Sequence, residues 1–190
     1  MSDVSKPPFF ATLFYEPGET IQRLISAKRG HRFACVMAAI FGAVQAAPLA
    51  LTREGRLSLF LLIGAVSGIV GLYLFSWLLR NFGRWFSGTG TLFEVRSALG
   101  VSLLPWVLLF AATLVCLALE VSTVMIAGYY WLFFGGLVYG YVIVLISLSK
   151  ALSLSLWKTL FVVIITVVFS IFPITLFVQL AAPDLLSSAR

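Results

Sequence analysis

Apolar residues in this chain form five long runs, and charged residues concentrate in the segments between the runs. The runs cover residues 33–51, 57–79, 98–119, 124–148 and 157–180, with no Asp, Glu, Lys or Arg in the interior of any of them. A helix needs about 20 mostly apolar residues to cross a bilayer, since each residue adds about 1.5 Å. The runs are continuous, whereas membrane strands alternate polar and apolar residues. The pattern therefore predicts an all-α fold, an integral membrane five-helix bundle.

The composition agrees with a membrane environment. Hydrophobic residues make up 61% of the 190 positions and charged residues only 11%, whereas a soluble domain is about 45–50% apolar and about 25% charged. Too few polar side chains are present to cover the surface of a water-soluble enzyme, and the composition is the opposite of that of a disordered chain. We expect a multi-pass membrane protein.

The uneven distribution of Lys and Arg predicts an orientation. With residues 1–32 in the cytoplasm, the cytoplasmic segments hold ten basic residues and the external segments hold three, as the positive-inside rule requires. We therefore expect a cytoplasmic amphipathic segment over 1–32, a membrane domain over 33–180 and an external tail over 181–190. The net charge of +6 is spread over three separate segments, so it is expected to contact anionic lipid headgroups rather than nucleic acid.

The segment before the first run contains an amphipathic stretch. Ile21, Leu24 and Ile25 share one face of a helix predicted over 16–27, and Pro17 suits the first turn of that helix. Two placements are open. The helix lies in the cytoplasmic interface with its apolar face among the headgroups, or it packs under the bundle.

Small residues indicate where helices approach closely. The second run carries Gly64 and Gly68 four residues apart, and the fourth carries Gly136 and Gly140 at the same spacing. Such pairs allow close contact between helix backbones in lipid. The contact is expected inside the bundle or, alternatively, across a homodimer interface.

Three prolines fall inside apolar runs, where each removes a backbone donor and is expected to kink its helix. They are Pro48, Pro105 and Pro173.

The chain shows no arrangement of residues typical of catalysis or metal binding. No ionisable residue lies in the middle of a run, where it would mark an ion or proton pathway. His31 is a single histidine beside the membrane and is expected to belong to the basic segment there, and the chain has no cluster of His, Cys and carboxylate residues at metal-ligand spacing. We therefore predict a protein that is not an enzyme, that needs no cofactor or metal, and that does not couple transport to protons.

The cytoplasmic connection over 80–97 is the richest in polar and aromatic residues. Its Ser87-Gly88-Thr89-Gly90 stretch is interpreted as a turn, because a phosphate-binding loop would need a preceding strand and a Lys-Ser/Thr at its end. The candidate cytoplasmic interaction loop consists of Gly88, Gly90, Phe93, Glu94 and Arg96.

Several short motifs, in this order, resemble the Yip-domain family of Ypt/Rab-interacting proteins in its compact bacterial form. They are Glu16-Pro17-Gly18-Glu19-Thr20, the stretch from Gly88 to Glu94, Leu104-Pro105-Trp106, Trp131, and the stretch from Ser153 to Lys158. The resemblance implies five helices, a cytoplasmic N-terminus, an external C-terminus and a bacterial inner membrane. Eukaryotic relatives engage prenylated Rab-type GTPases in vesicle traffic or membrane shaping. The family pattern carries no catalytic residues.

Two functions are consistent with these observations. The first is a membrane scaffold that binds a membrane or cytoplasmic protein partner at the cytoplasmic face. The second is a transporter, channel or lipid scramblase that passes small solutes or lipids without proton coupling. A continuous polar cavity would favour passage, and a tightly packed bundle would favour the scaffold.

Overall fold

A computed structural model describes residues 9–27, 30–51, 57–118 and 123–181, with side chains over 12–27, 30–49, 57–116 and 128–171. The predicted external tail therefore lies almost wholly outside the described residues. Within them the regular structure is entirely helical. The eight helices are α1 (Phe9–Tyr15), α2 (Pro17–Ser26), α3 (Gly30–Leu51), α4 (Leu57–Trp85), α5 (Leu92–Val101), α6 (Leu104–Ala118), α7 (Thr123–Leu152) and α8 (Leu156–Ala181).

Four stretches in the described residues are long and apolar enough to cross a membrane. They are Gly30–Leu49, Leu57–Trp85, Leu92–Cys116 and Gly128–Leu152. A fifth apolar stretch, Leu156–Ile171, is shorter over the described side chains, although the backbone of α8 continues to Ala181. Most side chains of the four long stretches are not buried within the protein, as expected for helices whose apolar surface faces lipid.

The third apolar run differs from the prediction of one helix kinked at Pro105. The helix breaks at Ser102 and Leu103, so that α5 ends before the proline and α6 begins with Leu104. The Ser102 hydroxyl donates to the Leu99 carbonyl at 2.8 Å, which satisfies polar groups at the break. Pro105 thus lies in the first turn of α6, where its missing N–H would have had no intrahelical partner. Pro105 therefore lies at the start of a separate helix and, contrary to the sequence prediction, does not kink a continuous one.

The two other prolines lie within helices. Pro48 is inside α3, close to its C-terminal end, and its side chain is exposed. Pro173 falls on the backbone of α8, but its side chain lies outside those that the structure describes. The kinks expected at these two positions stay predictions.

The closest helix contact joins α3 to α4 through glycines. A Cβ added to Gly68 would overlap the backbone carbonyl oxygen of Ala38, and one added to Gly42 would overlap that of Gly64. A Cβ on Gly64 would lie 2.5 Å from the Gly42 carbonyl oxygen and 2.6 Å from the Ala46 Cβ. Gly64 and Gly68 therefore face α3 of the same chain.

The buried apolar core is concentrated at one end of the bundle. There the C-terminal parts of α4 and α7 meet α5 and the two N-terminal helices, and Phe82, Val95 and Leu152 are buried among them. The predicted amphipathic helix is present as α2, with Gly18, Thr20 and Ile21 buried. Its apolar face packs on α7 and α5, which corresponds to the second of the two placements left open by the sequence.

Candidate interaction surface

The turn between α4 and α5, residues 86–91, is held by contacts with the C-terminal end of α7. The Thr89 N–H donates to the Leu152 carbonyl at 3.1 Å, and the Gly88 N–H donates to the Gly83 carbonyl at 2.9 Å. A Cβ on Gly90 would overlap the Ala151 carbonyl oxygen, and one on Gly88 would lie 2.9 Å from the Gly83 carbonyl oxygen. Both glycines are thus needed for close packing of the turn and offer no side chain to a partner.

The start of α5 is fixed by a capping box. The Glu94 N–H donates to the Thr91 hydroxyl oxygen at 3.3 Å, and the Thr91 N–H donates to a Glu94 carboxylate oxygen at 2.7 Å. This reciprocal pair satisfies two backbone donors at the helix start and stabilises it by about 1 kcal/mol. The carboxylate of Glu94 is therefore held in place where α5 begins.

A polar cleft of about 300 Å³ opens where α2, the turn, α5 and the end of α7 converge. Its volume is at the lower limit of about 300–1,000 Å³ for small-ligand pockets, which suits one or two polar side chains of a partner. The cleft carries one acidic and one basic group, Glu94 and Lys150. The residues that line it are Gln22, Ile25, Ser26, Thr89, Thr91, Glu94, Lys150, Ala151 and Ser153.

Phe93 and Arg96 point to a different part of the molecule. The guanidinium carbon of Arg96 lies 3.8 Å from the ring centroid of Tyr73 in α4. The Phe93 ring centroid is 6.2 Å from that of His31 in α3. Of the five residues predicted to form one interaction loop, Glu94 lines the cleft, two glycines pack the turn, and Phe93 and Arg96 lie on the α3–α4 side of α5.

The cleft also contains residues that the sequence did not single out. Gln22 comes from α2, and Lys150 and Ser153 come from the end of α7. The positive-inside count assigned all of these segments to one side of the membrane, and that shared side is the signal that could have grouped them. Their meeting in one cleft depends on tertiary packing, which no local pattern records.

A second cavity is a large apolar groove of about 720 Å³ lined by residues of α3 to α8. Phe41, Phe75 and Trp106 are among its aromatic side chains, and Gln45 and Thr166 are among its few polar ones. The Thr166 hydroxyl donates to the Val162 carbonyl of its own helix at 2.8 Å. The lining is therefore apolar rather than a continuous polar path.

Gly136 and Gly140 lie on the face of α7 that meets α6. A Cβ on Gly136 would be 2.9 Å from a Leu109 methyl carbon, and one on Gly140 would overlap the indole nitrogen of Trp106. The Trp106 indole N–H donates to the Leu137 carbonyl at 3.3 Å. These glycines thus make room for α6 side chains of the same chain.

Within the residues that the structure describes, no group of three or more His, Cys, Asp or Glu side chains could hold a metal ion. The site geometry is that of a surface cleft at the polar end of a helical bundle, with apolar helices extending away from it.

A helical chain with several apolar helices long enough to cross a bilayer is a multi-pass membrane protein. A family model for the Yip1 domain matches residues 11–178, and the chain belongs to that family. Comparison with curated proteins and with solved structures finds no match.

Proposed function

We propose that this Yip1-domain chain is a non-enzymatic membrane scaffold that binds a protein partner through the polar cleft at the cytoplasmic face. The observation that carries the proposal is the convergence of three segments, remote in sequence, on one polar cleft in a chain that is otherwise strongly apolar. The turn and the capping box hold Thr89, Thr91 and Glu94 in fixed positions. Preformed polar groups on a rigid support are typical of a recognition surface.

The proposal includes five membrane crossings in a bacterial inner membrane, with the N-terminus cytoplasmic and the C-terminus external. α8 has 26 residues over Leu156–Ala181, which is long enough for a fifth crossing. The described parts of the segments that the charge count assigns to the cytoplasm contribute to one end of the bundle. They are 9–27, 80–97 and the end of α7. Their meeting at one end supports this topology independently of the charges.

We expect cysteine accessibility to reveal this topology. In a variant with Cys35 and Cys116 replaced by Ser, a single cysteine at Thr89 should resist a membrane-impermeant maleimide in intact cells and react after permeabilisation. A single cysteine at Arg190 should react in intact cells, because five crossings place the two positions on opposite sides. Equal labelling of both in intact cells would contradict an odd number of crossings.

Photo-crosslinking tests the cleft as a docking surface. A photoreactive phenylalanine analogue at Gln22 or Thr89, both exposed at the cleft, is expected to capture the same discrete protein in cells. The matched control is the analogue at Trp85, which is 73% exposed at the same end of the bundle but does not line the cleft. Capture of the same bands from Trp85, or of lipid alone from all three positions, would contradict the proposal.

Lipid passage is the second candidate function, and the apolar groove is the observation that favours it. Its volume of about 720 Å³ and its apolar lining suit acyl chains better than hydrated solutes. Gln45 is exposed in this groove and would give a headgroup one polar contact. A scramblase would move a fluorescent phospholipid between the leaflets of reconstituted vesicles, which a scaffold would not.

A further inference from the structure

One flank of α4 combines aromatic and basic residues near its C-terminal end. Tyr73, Trp77, Arg80 and Arg84 follow one another at intervals of four and three residues, so they lie along one side of the helix. Tyr73 and Trp77 are exposed. The residues of α4 that line the apolar groove, such as Phe75 and Gly71, lie on other sides of the helix.

Side chains from two further helices close around Tyr73. The Arg96 guanidinium of α5 stacks on the Tyr73 ring, with its central carbon 3.8 Å from the centroid. The Tyr73 hydroxyl lies 3.4 Å from His31 Nε2 of α3, and the His31 ring meets the edge of the Tyr73 ring at a centroid distance of 6.1 Å. A guanidinium, an imidazole and a phenol from three helices are thus brought together. Arg80 follows Tyr73 by about two turns on the same side of α4. We name His31, Tyr73, Arg80 and Arg96 the arginine site.

The two arginines of this site have no anionic partner in the described part of the chain. The Nε atoms of Arg80 and Arg96 are buried and have no hydrogen-bond acceptor. The ion pair in the described residues joins Arg23 to Glu19 on the surface of α2. Glu94, the acidic residue nearest in sequence to Arg96, is held in the capping box. A buried guanidinium N–H without an acceptor is costly, and a negatively charged oxygen group beside these N–H groups would satisfy them.

We propose that the arginine site binds the phosphate of an anionic membrane phospholipid, whose headgroup carries no cation to compete with the arginines. Arg presents a planar set of N–H donors that matches phosphate oxygens, and the His31 ring and the Tyr73 hydroxyl add polar groups beside it. Arg80 lies five residues before Trp85, where α4 ends, and Tyr73 lies about two turns further from that end. The 29 residues of α4 exceed the roughly 20 that the hydrocarbon core requires. The last turns of the helix therefore reach the headgroup region, and aromatic residues such as Trp77 are typical of that depth.

Phosphate binding at the arginine site does not depend on the partner proposed for the polar cleft. It requires only that the chain lies in a bilayer, which its family and its apolar helices establish. It also differs from a general attraction of basic residues to anionic lipid, because it depends on the fork geometry of two particular arginines. Replacement by Lys, which keeps the charge, separates these two explanations.

Retention of spin-labelled phosphatidylglycerol tests the site. The full chain is reconstituted into phosphatidylcholine vesicles, and the fraction of motionally restricted label is measured by electron paramagnetic resonance. The Arg80→Lys/Arg96→Lys variant is expected to lower the relative association constant about tenfold, which is the loss of one strong charge-assisted contact. The matched control Arg84→Lys lies on the same flank, is exposed and has no buried unpaired Nε, and it should leave retention unchanged.

The single variant Arg96→Lys gives the same test if the double variant fails to elute as a folded species in size-exclusion chromatography. Unchanged retention in the Lys variants, or an equal loss in Arg84→Lys, would overturn the site. Inorganic phosphate is added to the same vesicles at increasing concentration. Displacement of the labelled lipid by inorganic phosphate at millimolar concentration would assign the site to a soluble phosphate compound and overturn the lipid headgroup as its occupant.

Discussion

Replacement of Gly68 by Ala is expected to lower the free energy of unfolding by about 3 kcal/mol, at the upper end of overpacking costs. The added Cβ would overlap the carbonyl oxygen of Ala38 in α3. That oxygen is a backbone atom, so relief requires α3 and α4 to separate along their closest contact and not merely a side-chain rotation. Gly42 would move with them, since its Cα lies 3.2 Å from the same added carbon. Equilibrium unfolding in mixed detergent micelles, followed by circular dichroism, measures the change.

Gly71 on the same helix provides the matched control. A Cβ at that position would meet nothing within 4 Å, and Ala has a higher helix propensity than Gly. Gly71→Ala is therefore expected to leave stability unchanged or to raise it slightly. Similar losses for Gly68→Ala and Gly71→Ala would contradict a specific α3–α4 contact. A change in oligomeric state with Gly68→Ala but not with Gly71→Ala would instead indicate the homodimer interface that the sequence left open.

The apolar helices could be predicted from the sequence because lipid imposes a local rule. A segment at membrane depth must satisfy its own backbone hydrogen bonds and present apolar side chains along its whole length. The family motifs added the Yip-domain resemblance, which the match over residues 11–178 confirms. Gly64 and Gly68 were also visible as a pair. Their partners Ala38, Gly42 and Ala46 have the same four-residue spacing in α3, but only one of them is a glycine, and this pattern was not singled out.

The features missed by sequence reasoning depend on contacts between distant segments. The break between α5 and α6 falls where Ser102 satisfies the backbone within an apolar run, and hydropathy does not register it. α2 could be assigned as amphipathic, but only the surfaces of α5 and α7 decide whether its apolar face meets protein or lipid. Tyr73 was read as one more residue of an apolar run, because the arginine that stacks on it is 23 positions away in the sequence.

The direction of each side chain in the candidate interaction loop was also missed by the sequence analysis. Neighbours on a helix point in directions about 100° apart, so Phe93 and Glu94 at the start of α5 belong to different surfaces. The interpretation of residues 88–96 as a loop places these side chains on one surface. The capping box at Thr91 was the signal within the sequence that a helix begins there, and with it the two faces could have been separated before any tertiary contact was known.

We expect Gly140→Ala to destabilise the α6–α7 packing by about 2 kcal/mol, because the added carbon would occupy the place of the Trp106 indole nitrogen. The indole would have to leave its hydrogen bond with the Leu137 carbonyl and its contact with the Phe41 ring, whose centroid is 6.2 Å away. Unlike the Gly68 contact, this obstacle is a side chain, so a second substitution can remove it. The same unfolding measurement in mixed micelles applies.

A double-mutant cycle with Trp106→Ala isolates the contact. Trp106→Ala alone is expected to destabilise the protein by about 3 kcal/mol through loss of a large aromatic side chain. In that background Gly140→Ala should cost almost nothing, which gives a coupling energy of about 2 kcal/mol between the two positions. Gly135 is the control on the same helix, since its added Cβ would meet nothing within 4 Å. Additive effects of Gly140→Ala and Trp106→Ala, or an equal loss from Gly135→Ala, would show that the indole does not pack on Gly140.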